Sequence, residues 1–310
     1  MLKVVRRAFW SFRIHEGSLL SGAVAFYALL AFAPLGVLAV VGVGWLLGAD
    51  AARDALTKQV ETYLDPGAAH FLMEAIERGT TFGNQGRFAT FLSGGFLIIA
   101  STRLFWMLRG AINHAWGIRS TVPPGFFGLR QQVLRRRLVA FGMLFVFGAA
   151  FIVMALVKAG INVANVHFGR VSLLWRGLDL ATSVALFTIL IALIFRWLPD
   201  ARIAWRDAVV GAFATAVLNT LGSVLIGHYL ARISPTSMYG AAGSLVVLLL
   251  WVYYSTQIFL FGAELTAAWA HERGSGVHPL PYATVVAAGD RPSLVLEDFE
   301  VPPNPPDITL

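Results

Sequence analysis

The chain has 310 residues, of which 57% are hydrophobic and only 13% are charged, with a formal net charge of +7 and a mean hydropathy of +0.69. Soluble domains carry about 25% charged residues and about 45–50% apolar ones, so this chain has too few charges to cover a water-soluble enzyme of its length. The same composition excludes disorder over most of the chain. Because there is no cysteine, the sequence also excludes disulfides, thiolate catalysis and cysteine zinc sites.

A short basic segment and then six long apolar stretches follow one another along the chain. In residues 1–16, Leu2, Val5 and Phe9 recur at helical spacing beside arginines, which predicts an amphipathic helix lying on anionic lipid. Each apolar stretch has the roughly 20 residues that a helix needs to cross a bilayer. We therefore predict an all-α, polytopic membrane bundle of six transmembrane helices within residues 17–272. The predicted spans, numbered one to six, cover residues 17–47, 88–108, 138–157, 178–198, 208–230 and 240–270.

Two segments outside the spans have a different composition. Residues 49–87 hold six acids and an amphipathic pattern, which predicts outer helices between spans one and two. Residues 273–310 are rich in proline and acidic residues, which predicts a disordered tail. Residues 293–300 form a short apolar and acidic island in this tail, and both a docking motif and a plain unstructured segment stay open there.

The positions of the basic residues predict the orientation of the bundle. Fifteen of the 24 lysines and arginines lie in segments on one side of the predicted spans, although Lys158, Arg170 and Arg176 would face the other side. The positive-inside rule therefore places both termini in the cytoplasm. The charge of +7 marks topology, and we expect no nucleic-acid partner. Four basic residues after span two either attract anionic head groups or mark topology alone: Arg130, Arg135, Arg136 and Arg137.

Span five has a polar and a bulky apolar half. Thr215, Asn219 and Ser223 follow one another at intervals of four residues, with glycines at both ends of the row. Small residues let helices approach closely in lipid, and hydroxyl and amide groups can bond across the gap. Two interpretations stay open, namely a tightly packed helix interface and a polar cavity.

Spans one, two and six carry residues that are costly in a membrane. Tyr253, Gln257 and Glu264 share one stripe of span six, and Arg103 lies in the inner half of span two. Charged side chains at such depth in the membrane form ion pairs, extend to the membrane interface or face water. We expect Arg103 and Glu264 to be partners, the alternative being that each reaches the interface separately. Pro34 kinks span one, either for packing or at a binding site.

Four strings of the sequence together point to one protein family. They are AVAFYALLAFAP at 23–34, AINHAWG at 111–117, LP at 198–199 and the long run from Met238 to Glu264. In these strings the chain resembles the YihY/virulence factor BrkB family of bacterial inner-membrane proteins, over about residues 5–272. The residues that carry the resemblance include Tyr27, Asn113, Trp116, Pro199, Tyr239, Gly240, Gly243 and Trp251.

The resemblance implies a link to the integrity of the cell envelope and, for some relatives, to lipid export. Some members also bear a ribonuclease label, which these residues do not support. The histidines are scattered, and the sequence has neither the H-E-x-x-H pattern nor clustered carboxylates for a metal. It also lacks a Walker A loop. We therefore expect no enzymatic activity, no metal and no cofactor.

The sequence leaves two main functions open and a remote third. The first is a transporter or a translocator of lipids or envelope components without its own ATPase, in which spans one, two, five and six line the path. The second is a scaffold that recruits envelope-assembly partners, and the third is a membrane-bound hydrolase. Membrane lipids are the expected partners, and a homo-oligomer stays open. The candidate path or gate residues are Pro34, Arg103, Thr215, Asn219, Ser223, Tyr253, Gln257 and Glu264.

Overall fold

The structure is a computed structural model, which describes four main stretches of the chain. These are residues 1–31, 103–120, 172–233 and 243–286, with further single residues or short groups between 48 and 78 and at 142, 153, 157 and 160. The predictions for span three, for most of the outer segment, for Pro34, for Tyr239 and Gly240, and for the arginines between 130 and 137 lie outside the described residues.

Six helices and four short strands lie in the four main described stretches. Spans four, five and six are confirmed as helices, each within a few residues of the predicted bounds. Helix α4 ends at Trp197 because the residue before Pro199 is disfavoured in helical geometry. The helices are α1 (Leu2–Ile14), α2 (Gly17–Ala31), α3 (residues 103–115), α4 (Ser172–Trp197), α5 (Trp205–Ile233) and α6 (Gly243–Arg273).

Three of these helices are long and apolar enough to cross a membrane, within α4, α5 and α6. Helices α1 and α2 together would supply a fourth span, but they are bent by 69° at the break between them. The total of six spans and the cytoplasmic position of the termini stay predictions.

The bend between α1 and α2 has a local cause. Glu16 has a φ of 50°, in the left-handed region that normally ends a helix with glycine. At Gly17, a Cβ atom would overlap the ring of Phe12, so only glycine fits there. The chain therefore turns sharply at Glu16 and Gly17 with the Phe12 ring packed into the turn.

Helices α5 and α6 cross with their backbones close together. A Cβ atom at Gly211 would overlap the side chain of Thr266, and one at Gly262 would overlap Thr215. Each threonine hydroxyl donates to the carbonyl four residues earlier on its own helix, at 2.7 Å in both cases. The crossing is thus a reciprocal pair of threonine–glycine contacts, as expected where small residues allow close helix packing in lipid.

The main apolar core joins α3, α4, α5 and α6. Phe195 is fully buried at its centre, with the Trp116 ring 6.2 Å and the Phe259 ring 5.3 Å from its own ring, centroid to centroid. The indole Nε1–H of Trp116 donates to the carbonyl of Ala263 at 3.0 Å, which fixes the end of α3 against α6. Small residues such as Ala212 let α5 approach this core.

Two short antiparallel sheets close one end of the bundle. Strand β1 (Ile118–Ser120) pairs with β4 (Ala283–Val285), and β2 (Ala201–Arg202) pairs with β3 (His278–Pro279). We call this the strand-bearing end, and it is the end that the basic residues predict to be cytoplasmic.

The segment after α6 is therefore structured, and the prediction of a disordered tail from residue 273 is wrong for residues 274–286. The N–H of Ser275 donates to the Asp207 carboxylate at 2.9 Å, and the N–H of Leu280 donates to the Asp200 carbonyl at 2.9 Å. Backbone bonds to the loops after α3 and α4 supply the partners that the composition of this segment does not reveal.

Candidate functional site

Two clusters of buried polar side chains lie at the strand-bearing end of the bundle. The first surrounds Asp200 in the turn between α4 and α5, and we call it the Asp200 cluster. The second joins His15, His114 and Glu264, and we call it the histidine–glutamate cluster. Asn113 and His114 are neighbours in the chain, so α3 contributes to both clusters.

The Asp200 cluster consists of Asp200, Arg109, Asn113 and Ser120. The Asp200 side chain is 2% exposed and accepts hydrogen bonds from both Nε and Nη2 of Arg109, the first at 2.9 Å. Asn113 Nδ2 donates to the same carboxylate at 2.8 Å and Ser120 Oγ at 2.5 Å. The N–H of Asp200 in turn donates to Asn113 Oδ1 at 2.8 Å. This carboxylate is thus held by a fork of arginine donors and by two further side chains.

The ionisation of Asp200 follows from these contacts. Burial alone would raise its pKa, but the hydrogen bonds from Ser120, Arg109 and Asn113 and the charge of Arg109 together hold the pKa below its ordinary value. The carboxylate therefore stays charged at neutral pH, and the cluster is an ion pair between two permanently charged groups.

The sequence did not identify this cluster as a site. In the sequence, Arg109 is only one of the basic residues that mark topology, and Asn113 stands out only as part of the family resemblance. The one available signal is the spacing of Arg109 and Asn113, which places a cation and an amide on the same face of α3. Nothing local in the sequence points from them to Asp200, which is 91 residues from Arg109.

The histidine–glutamate cluster lies where three elements meet. His15 at the bend after α1 has its Nδ1 atom 2.5 Å from Oε1 of Glu264 on α6, and their side chains are only 5% and 3% exposed. The ring of His114 at the end of α3 lies edge-on to the ring of His15, with 5.4 Å between the centroids. A buried carboxylate and a buried imidazole thus meet the half-buried imidazole of His114 at the junction.

A second carboxylate lies beside this junction. One oxygen of Glu16, Oε2, is buried and has no hydrogen-bond partner among the residues that the structure describes. Glu16 is also the residue with the left-handed backbone at the bend. Both an orphaned buried oxygen and a left-handed glutamate are costly.

The structure pairs Glu264 differently from the sequence prediction. Its observed ion-pair partner is His15, whereas Arg103 is exposed at the beginning of the described part of α3. Arg103 precedes His114 by eleven residues on that helix, which is about 16 Å at 1.5 Å per residue. The expected contact between Arg103 and Glu264 is therefore not formed here.

The other predicted path residues lie on α5 and α6. Thr215 is buried in the crossing of the two helices, whereas Asn219, Ser223, Tyr253 and Gln257 are half-buried. The hydroxyl of Ser223 donates to its own helix, to the carbonyl of residue 220 at 2.9 Å. These four half-buried residues do not join the histidine–glutamate cluster, and Gln257 precedes Glu264 by about 10 Å along α6.

The described family-motif residues mostly pack the bundle. Asn113 belongs to the Asp200 cluster, Trp116 bonds to α6, and Pro199 is buried beside Asp200. Trp251 packs in an apolar cluster between α2 and α6, Gly243 begins α6, and Tyr27 is half-buried on α2. Within the described stretches, no group of three or more side chains could hold a metal ion.

Comparison with known proteins places the chain in a family. The model of the virulence factor BrkB family matches residues 8–284. The chain belongs to this family. The match continues through β3 and most of β4, so the strand-bearing end is part of what the family shares.

The named relatives are bacterial membrane proteins. A UPF0761 membrane protein of Bordetella petrii is 29% identical over 215 residues, which cover 66% of this chain and 43% of the relative. A relative from Pseudomonas paraeruginosa is 28% identical over 72% of this chain and 53% of its own length. A relative from Azotobacter vinelandii is 25% identical over 91% of this chain and 66% of its own length. The chain thus spans about half the length of most of these relatives. No solved structure matches it. With its apolar helices, the protein is an integral membrane protein of this family.

Proposed function

We propose that this protein is a transporter or translocator of the bacterial inner membrane, which moves a lipid or another envelope component without hydrolysing ATP itself. The observation that supports this most is the buried contact between His15 and Glu264, with the half-buried His114 beside it, at one end of membrane-crossing helices. Ionisable groups within membrane helices are costly, and they mark substrate or ion pathways.

A purely structural role accounts less well for the histidine–glutamate cluster. A buried ion pair is a weak source of stability because the cost of removing both charges from water offsets their attraction. The same end of the bundle already has a fixed anchor in the Asp200 cluster, with its permanent charges. A second, titratable cluster next to it adds a group that can change its protonation state, and we assign this group to the transport cycle.

The path itself would run along the polar side of α5 and α6. Asn219, Ser223, Tyr253 and Gln257 are half-buried there and would contact cargo above the histidine–glutamate cluster. In the same proposal, Pro34 kinks span one, and Arg103 is a charge on the inner side of the membrane. The chain has no catalytic step in this proposal, and its energy would come from a gradient or from the cargo itself.

Helix α1 gives the proposal its lipid partner. Leu2, Val5 and Phe9 are 86%, 47% and 50% exposed on one face, next to the exposed Arg6 and Arg13. An apolar strip flanked by arginines suits the boundary between acyl chains and anionic head groups. We therefore propose that α1 lies on the inner leaflet, where a lipid cargo would enter or leave.

The test is lipid movement by the purified protein in vesicles. Vesicles with fluorescent phospholipid in both leaflets are treated with dithionite, which bleaches only the outer leaflet, so that extra bleaching measures translocation. Glu264→Gln removes the buried charge, and we expect it to slow translocation about tenfold, the effect of about 1.4 kcal/mol on a barrier. The matched control is Glu272→Gln, the same change on the same helix, where the carboxylate is 41% exposed.

The outcomes separate the two main functions. If wild-type vesicles bleach no further than empty ones, or if both variants behave alike, the translocator proposal fails. A chain truncated after residue 286 should retain translocation. If instead truncation abolishes an envelope phenotype while Glu264→Gln does not, the scaffold alternative through residues 287–310 is favoured.

A further inference from the structure

We propose that His15, His114 and Glu264 form a proton-binding site, and that loading it with a proton releases α1 and its bend from α6. As an account of regulation this inference rests on the proposed function, but the docking of α1 can be measured without any transport.

The docked position of α1 rests on apolar packing, which includes the Phe12 ring with its centroid 6.0 Å from that of Phe261, and on polar contacts. Val4 and Ala8 pack against Ala268 in a small apolar cluster. Near the end of α6, Arg7 Nη1 donates to Glu272 Oε1 at 2.9 Å, but both side chains are about half exposed. An exposed ion pair of this kind contributes little. The contact from His15 to Glu264 is a buried polar contact between the bend and α6.

The bend itself opposes docking. Glu16 holds a left-handed backbone, which costs a residue other than glycine about 1 kcal/mol. Its buried Oε2 atom, which has no partner in the described part of the chain, adds to that cost. The buried contact between His15 and Glu264 helps to offset these two costs, so a weaker contact favours the open bend. Such a strained element is the kind that switches between two arrangements.

Protonation changes the charge of that contact. With one shared proton, His15 and Glu264 are neutral in sum and keep their hydrogen bond. A second proton leaves an imidazolium beside a neutral acid in a site that is only 3–5% exposed. His114, with its ring 5.4 Å away, is a second imidazole beside the pair. A charged imidazole in so buried a place is costly, and a positive charge on both rings would add repulsion, so acid favours the released state in which His15 reaches water.

The other ionisable groups near the junction do not reverse this direction. Glu16 at the bend and His271 on α6 are such groups, and a proton bound to any carboxylate or imidazole can only add positive charge. On α3, the charge of Arg109 is matched by the ionised Asp200 of the neighbouring cluster. Acidification therefore makes the whole junction more positive.

Spin labels can measure the release directly. Because the chain has no cysteine, Lys3→Cys and Arg202→Cys give one label on α1 and one on β2 without further changes. Pulsed electron resonance on the full chain in lipid nanodiscs then gives the distance between them at pH 8 and at pH 5. Lys3 is 13 residues, or about 20 Å, from the pivot at Glu16, so a turn of about 30° moves it by about 10 Å. We expect a second, longer distance at pH 5.

The decisive variant is His15→Asn, which keeps a polar side chain but does not titrate, and it should remove the pH-dependent distance. His271→Asn is the matched control and should keep it. Labels at Arg202 and Arg273, which leave out α1, should give one distance at both pH values in every variant and so report an intact bundle.

The inference is overturned if the wild-type distance is the same at both pH values, or if His15→Asn retains the shift. A fixed distance in protein that translocates lipid would overturn this inference alone. A shifting distance in protein that moves no lipid would overturn the proposed function alone.

Discussion

The Asp200 cluster offers the sharpest test of how the strand-bearing end is held together. Asp200→Asn keeps the shape of the side chain but removes its charge. The guanidinium of Arg109, whose side chain is 13% exposed, then loses its counter-ion in a largely buried place. Asn113 and Ser120 can still donate to the remaining oxygen of the new amide. The change therefore tests the ion pair more than the packing.

The expected loss can be worked out from these contacts. Removing one partner of a buried ion pair costs about 3–5 kcal/mol because the other charge stays buried without compensation. Arg109 retains some access to water and two of the four bonds to residue 200 can persist, so we expect the lower end, about 3 kcal/mol. The matched control Glu272→Gln breaks an exposed pair and should cost less than about 1 kcal/mol.

Reversible unfolding of the purified protein in mixed micelles with rising SDS, followed by circular dichroism, gives the free energies. A double-mutant cycle with Arg109→Met isolates the pair, and the double variant should be about 2 kcal/mol more stable than the sum of the single losses predicts. Additive losses within about 0.5 kcal/mol would refute the coupling. A loss for Asp200→Asn no larger than that for Glu272→Gln would refute the importance of burial.

The pH dependence of the same variant has a definite sign. The pKa of Asp200 is lower in the folded protein than in the unfolded chain. Its stabilising contribution is therefore complete above the unfolded value of about 3.9, and it is lost as the pH falls through the lower folded value. The stability difference between wild type and Asp200→Asn should stay constant from pH 7 to pH 5 and narrow only below about pH 4. A difference that changes near neutral pH would contradict the assigned ionisation.

Two further predictions concern the helix crossing and the segment after α6. Gly211→Ala and Gly262→Ala place a methyl group against Thr266 and Thr215, and each should cost about 1–3 kcal/mol in the same SDS titration. Gly110→Ala, where a Cβ atom meets nothing within 4 Å, is the matched control and should be neutral or slightly stabilising. Truncation after residue 286 should leave the melting temperature unchanged, whereas truncation after residue 276 removes β3 and β4 and should lower it. Equal melting temperatures for the two truncations would show that the strands contribute nothing.

The long helices could be predicted because their signal is local. The sequence predicts span four at 178–198 and the helix runs from Ser172 to Trp197, since a largely apolar stretch of about 20 residues and a following Pro199 are enough to define it. The strands could not be predicted in the same way. Each is only two or three residues long, and β1 pairs with a segment more than 160 residues later, so no local periodicity marks it.

The partner of Glu264 was missed for a related reason. The sequence identifies a costly carboxylate on span six, and matching depths along the predicted spans suggested Arg103. His15 lies 249 residues away and was assigned to an interfacial segment outside the spans. Only the bend of 69° returns that segment to the side of α6. The bend depends on the left-handed backbone of Glu16, and a hydrophobic pattern in the sequence does not reveal the backbone conformation of one residue.

The two clusters differ in what can change their charge, and this difference assigns them different roles. Arg109 stays protonated at any physiological pH, and Asp200 stays ionised, so their contact is constant and fixes α3 to the turn between α4 and α5. His15 and Glu264 can both exchange protons, so their contact depends on conditions. Because Asn113 and His114 are adjacent on α3, one helix end joins the constant contact to the variable one. A movement that begins at His15 should therefore release α1 from α6 while the strand-bearing end stays closed.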